Sequence, residues 1–301
     1  MPGSAAPSSD ALLGFGKEFV GPSSGLINKI ACFGLNPLIP WLAKRSDEEE
    51  AVKSLRHSLE AMDMDPLMKA AMIATARQNL NYFLNQSSII EKAIPLLHET
   101  ERSQDVDEEW LSRFLDGAKH VSSDEVRTIW ANILASECNE PGTIPKSILA
   151  ALASIEIETA RAFEILAKFV IQLSPYGLPN LVIDWNQNFV LRKFGVSFAD
   201  ILELSRIGLV SWSNENGFNF DVEQVTFKLP LESDFCHTFV YDVKKPHHKF
   251  YTQQGRISRG NVVFTPAGLS LYQTLTVEPL DATDFMAYLN TFAESYDLLI
   301  K

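Results

Sequence analysis

The side chains able to do chemistry are few in this sequence, and most stand at the wrong spacing for it. Six histidines occur, at positions 57, 98, 120, 237, 247 and 248. Only His247 and His248 are neighbours, and adjacent residues on a strand point to opposite faces, which makes a poor chelate. Cys236 and His237 fail as a nucleophile and base pair for the same reason. No G-x-S-x-G, phosphate-binding glycine loop, G-x-G-x-x-G or H-E-x-x-H run is present. Cys32, Cys138 and Cys236 are odd in number and far apart, which argues against a disulfide framework or a structural zinc and fits a reducing cytosol. The acidic run Asp105, Asp107, Glu108 and Glu109 lacks the alternating ligands and turn glycine of a calcium loop, and reads as a solvated helix start. The residues therefore predict a protein without catalytic residues, metal or cofactor.

Three constellations carry functional expectations. The first is Lys244, Lys245, His247, His248, Lys249, Arg256 and Arg259, interleaved with Tyr241, Phe250 and Tyr251. It holds five Lys or Arg and no acid between Val243 and Gly260, in a chain of net charge -12. Such a hairpin suits phosphate contact, and the alternative is a solvated loop. The second is Trp110, Trp130, Glu137, Pro141 and Gly142, a candidate partner surface. Its bland reading is two core tryptophans with their indole N–H groups bonded, and a glutamate tying down the next loop. The third is the apolar stretch 11–43, with Leu26, Ile27, Ile30 and Phe33 at helical spacing, a candidate oligomer or membrane contact. Only Lys17 and Lys29 offer positive charge there, which suits subunit packing better than a lipid surface.

The elements that must position these groups are legible from caps and periodicity. Residues 1–10 read as a disordered tail. Ser46 and Glu49 form a capping box, and Asp65-Pro66 opens a helix that ends near Pro95. Trp110, Leu111, Phe114, Leu115 and Ala118 make one helix face. Ser122 or Ser123 caps the next helix, Pro145 starts another, and Glu158 to Leu173 gives one more. Beyond Pro175 the period changes. A short helix through Ile201, Leu204 and Ile207 ends at Gly208, and a hairpin is predicted across Asn214-Glu215-Asn216. Strands follow over 225–231, 235–243 and 262–264, then a helix from Thr265-Pro266, a last helix over 284–292 and a final strand over 296–300.

The expected architecture is α+β: an N-terminal helical bundle followed by a C-terminal mixed α/β module resembling a winged helix. Its domains are a helical region over 11–98, a bundle core over 99–174 and the α/β module over 175–301. At 301 residues the chain is long enough for two cores. Its acidity repels nucleic acid and anionic lipid at long range, which a local basic patch overrides. The first residues carry no basic start with an apolar run and cleavage site, and Pro37 and Pro40 break the longest uncharged apolar run. The expected location is therefore the cytoplasm.

The stretch DEEWLSRFLDGAKHVSSDEVRTIWANILASECNEPGTIPKSIL at 107–149, with GLVSW at 208–212 and FTPAGLSLYQTL at 264–275, resembles the bacterial DUF2806 family, a domain of unknown function. The resemblance covers residues 95–301. It rests on Trp110, Ser123-Asp124, Trp130, Ile133-Leu134-Ala135, Glu137 and Pro141-Gly142. Members are similar to Abi-alpha-type abortive-infection proteins, which implies a setting of phage resistance and supplies no catalytic residues. The resulting expectation is a non-enzymatic interaction protein of anti-phage defence, oligomerising through its helical half. Its partners would be a second copy, a protein or phage component, or nucleic acid. The alternatives are a nucleic-acid-binding regulator using the hairpin 244–259 and a membrane-perturbing effector acting through 11–43.

Overall fold

The computed structural model describes residues 56–98, 100, 102–174, 177–184, 188–213, 217–222, 224–229, 236–241 and 257–301, with Leu26, Lys29 and Lys53. Two compact units divide the chain, Met1–Ala153 and Ser154–Lys301.

The first unit is helical. Helix α1 (Pro66–Ala93) starts where expected: Asp65 accepts hydrogen bonds from the Leu67 and Met68 N–H groups, and Pro66 occupies the first turn. Its first half is largely exposed. Its second half buries Gln86, Ser87, Ile89, Ile90 and Ala93 and packs on helix α3 (Asp124–Asn139). Helix α2 (Glu108–Ala118) is capped by Asp107, and α3 by Ser123. Trp110 stacks on Phe114 at 5.2 Å, and Phe114 meets Trp130 edge-on at 5.0 Å. Gly117 lets this happen, because a Cβ there would collide with the Trp130 indole. Helix α4 (Lys146–Ala153) packs on α2. Asn85 and Gln86 donate to the Lys119 and Leu115 carbonyls and so fasten α1 to the end of α2.

The second unit begins earlier than 175. Helix α5 (Ile157–Ala167) stops six residues short of Leu173, and strand β1 (Val170–Leu173) follows. The helical periodicity read through 173 is overridden by pairing, since Val170 and Ile171 are β-branched and meet Leu181 and Asn180 of β2 (Leu178–Leu181). The remaining elements are α6 (Asn188–Lys193), α7 (Phe198–Arg206), β3 (Val210–Trp212), β4 (Phe218–Phe220), β5 (Gln224–Lys228), β6 (His237–Tyr241), β7 (Ile257–Gly260), β8 (Val262–Phe264), α8 (Pro266–Thr274), α9 (Ala282–Ser295) and β9 (Leu298–Ile300). One antiparallel sheet runs β2-β1-β5-β6-β9. Aromatic contacts join α9 to this core: Phe239 lies 6.0 Å from Phe292, and Phe169 lies 4.8 Å from Tyr288.

A separate ladder pairs β3 with β8 and β4 with β7. The expected hairpin across 214–216 is therefore corrected, because β3 and β4 do not pair with each other. Both run along the stretch 257–264, whose Val262, Val263 and Phe264 offer an apolar partner that a local turn reading does not see. Ile183 adds a third edge, bridging Gly260 and Val262. Thr265 caps α8, and Gly208 takes a positive φ of 82° after α7.

Candidate functional site

Trp110, Trp130 and Glu137 are 2%, 0% and 1% exposed, so they do not form a partner surface. The Trp110 Nε1–H donates to the Ile144 carbonyl at 3.0 Å. Trp130 Nε1 is buried without an acceptor, contrary to the expectation that both indoles are bonded. Glu137 sits near the end of α3, where its carboxylate accepts from the Gly142 N–H at 2.7 Å and the Ile144 N–H at 3.0 Å. Burial pushes its pKa up, partly opposed by those two donors. The carboxylate is thus a tether that holds the Pro141-Gly142 turn, and Gly142 has φ 86° with open space around it. Nearby, Lys146 bridges Asp107 at 2.9 Å and Glu109. These are exposed ion pairs of small worth, which lower both carboxyl pKa values through hydrogen bonds to Lys146.

Of the N-terminal set, Ile27, Ile30 and Phe33 lie outside the described residues. Leu26 is 1% exposed, and Lys29 donates to the Gln104 carbonyl at 2.7 Å. No described helix is long and apolar enough to cross a membrane. Among the described residues, no group of His, Cys, Asp or Glu is placed to hold a metal ion. His120 meets Tyr82 edge-on, and His237 stacks on Phe227.

Lys244, Lys245, His247, His248, Lys249 and Arg256 also lie outside the described residues, but Arg259 does not. On the β4–β7 ladder, Phe218 pairs with Gly260 and Asn219 with Ser258, so Arg259 is the extra residue of a β-bulge. A bulge re-aims its side chain. The Arg259 guanidinium sits 4.9 Å from the Phe220 ring, a cation–π contact. It has no ion pair among the described residues, and its buried Nε has no hydrogen-bond acceptor. Burial lowers its pKa from the usual value, and no anion among the described residues opposes the shift.

The backbone holding this arginine is fixed on both sides. Ser258 Oγ accepts from the Gly260 N–H at 3.0 Å, a donor that the bulge takes out of the ladder. The Asn261 N–H donates to the Ile183 carbonyl at 2.8 Å. Gly260 has φ 89°, and a Cβ there would run into the same carbonyl. The Tyr288 hydroxyl donates to the Val182 carbonyl at 2.9 Å, which anchors the neighbouring edge. Phe220 and Ser258 were not singled out by sequence. A glycine, Gly260, inside the strand-like run from Ile257 to Phe264 is the signal that could have marked a bulge.

A family model described as a protein of unknown function, DUF2806, matches residues 73–290, well over half of the chain. No curated protein and no solved structure matches.

Proposed function

We propose that this chain, which belongs to the DUF2806 family, is a non-enzymatic protein of bacterial anti-phage defence, of abortive-infection type, whose second unit binds nucleic acid. The observation carrying the binding reading is the bulge-mounted Arg259, without an ion pair among the described residues, at the C-terminal end of a sequence segment rich in Lys and Arg and devoid of acid. The defence setting rests on the resemblance to abortive-infection proteins.

A winged-helix reading of the second unit is part of the proposal. Its support is the order α5, the Ile183 edge, α6, α7, then the ladder of β3 and β4 with β7 and β8. In that reading α7 is the recognition helix and the basic segment belongs to the wing. Helix α7 is poorly equipped to read bases: Arg206 is forked onto Glu203 of the same helix, and Leu202 is exposed. Contact then falls to the wing and the phosphate backbone, which gives binding with little sequence preference.

Oligomerisation through the helical half completes the proposal. Its support is the exposed apolar set Leu67, Met68 and Met72 on the first half of α1. A membrane role for 11–43 is less well supported, since Leu26 and Lys29 are engaged within the first unit.

Phage plating on cells expressing the protein tests the whole reading. The expected result is a fall of several orders of magnitude that the combined change Lys244→Glu, Lys245→Glu and Lys249→Glu abolishes. Plating unchanged by expression of the intact protein contradicts the defence role.

A further inference from the structure

We infer that Arg259 is a built phosphate-binding site, an anchor that takes one phosphodiester group of bound nucleic acid into the β-bulge above Phe220. The inference rests on the nucleic-acid reading and goes beyond it by assigning the buried contact. A guanidinium carries five N–H donors in a planar fork that matches a phosphate's oxygens. Here the guanidinium lies over the Phe220 ring, and its buried Nε–H meets no acceptor among the described residues.

A partly buried cation without a counter-charge destabilises the unliganded protein. Residues 243–260 themselves contain no Asp or Glu to relieve it. The surroundings are nonetheless ordered to keep the arginine where it is. Ser258 closes the bulge by accepting the Gly260 N–H, Gly260 permits the close approach to Ile183, and Asn261 fixes the next residue to the same carbonyl. A rigid mount for an uncompensated charge is the signature of a site that an anion completes.

A structural arginine and a ligand-anchoring one differ in the sign of what their removal does. Removing a structural arginine lowers stability. Removing an anchor that is unsatisfied in the absence of ligand leaves stability unchanged or raises it, while binding falls.

The experiment measures fluorescence anisotropy of a labelled DNA duplex with the full chain, alongside thermal melts without DNA. It compares the intact protein with Arg259→Gln, with Arg259→Lys and with the triple Lys244→Glu, Lys245→Glu, Lys249→Glu. Arg259→Lys keeps the charge but gives up the fork, and serves if the glutamine variant does not fold. The inference expects Arg259→Gln to bind about tenfold or more weakly, with the salt dependence shallower by about one phosphate contact and a melting temperature equal or higher. Arg259→Lys should recover only part of the affinity. If Arg259→Gln binds like the intact protein while the triple variant loses binding, the anchor is wrong and the nucleic-acid reading stands. If Arg259→Gln loses binding together with a large drop in melting temperature, the arginine is structural and the inference is overturned. An intact protein with no affinity for the duplex overturns the nucleic-acid reading, and the anchor with it.

Discussion

At the scale of single residues, the first unit is decided by how buried polar groups are satisfied. Glu137 accepts two backbone N–H groups, those of Gly142 and Ile144. Glu137→Ala should orphan both and cost about 3 kcal/mol of stability, read by chemical denaturation. Glu137→Gln keeps an acceptor and should cost less. The pH dependence follows from burial raising the Glu137 pKa in the folded state. The folded protein then holds a proton that the unfolded chain releases first. The stability advantage of the intact protein over Glu137→Gln should be largest in acid, and should shrink as pH rises from about 4 through the raised pKa. Gly117→Ala should cost about 1–3 kcal/mol, because its Cβ would displace the Trp130 indole from a filled core. The sequence offered two roles for these residues, a core with a glutamate tying down the next loop or a partner surface, and burial and hydrogen bonding agree with the first except at the Trp130 indole. Trp110, Trp130 and Glu137 are the most distinctive side chains of the segment, and a composition of tryptophan and carboxylate suits a core and still leaves a surface open. Only the partners of each atom separate the two readings.

At the scale of elements, what was legible was local. Asp65, Asp107, Ser123 and Thr265 all accept from the N–H groups of the helices that follow them. Each such cap is written in three or four consecutive residues. What was not legible was non-local. The end of α5 depends on β1 finding β2, and β3 and β4 depend on partner strands about fifty and about forty residues away. The β4–β7 bulge supplies a direct comparison of two glycines. Gly260 and Gly142 both hold positive φ, but only Gly260 is pressed against backbone. Gly260→Ala should lose at least about 2 kcal/mol and Gly142→Ala about 1 kcal/mol, as melting temperatures would register. Helix α1 should also be uneven along its length. Amides from the exposed first half should exchange hydrogen well before those near Gln86, Ile89 and Ile90.

At the scale of the whole molecule, the chain is two cores joined at 153–154, about twenty residues before the boundary that proline spacing suggests. A fragment starting at Ser154 should therefore fold, with cooperative melting and native-like near-ultraviolet circular dichroism. One starting at residue 175 should not, since it lacks β1 from the interior of the five-stranded sheet and Phe163 from its contact with Phe264. Net charge tells against nucleic-acid binding for the molecule as a whole, and the argument for binding is entirely local. An acid-free basic segment leads in sequence into a ladder strand that holds Arg259, which has no ion pair among the described residues. The most direct test of that account is the affinity of the intact protein for a DNA duplex as a function of salt. With five Lys and Arg available between Val243 and Gly260, log affinity should fall with log salt at a slope of about -4.5 when all five meet phosphates. It should do so alike for duplexes of unrelated sequence. No binding at low salt, or binding indifferent to salt, would contradict it.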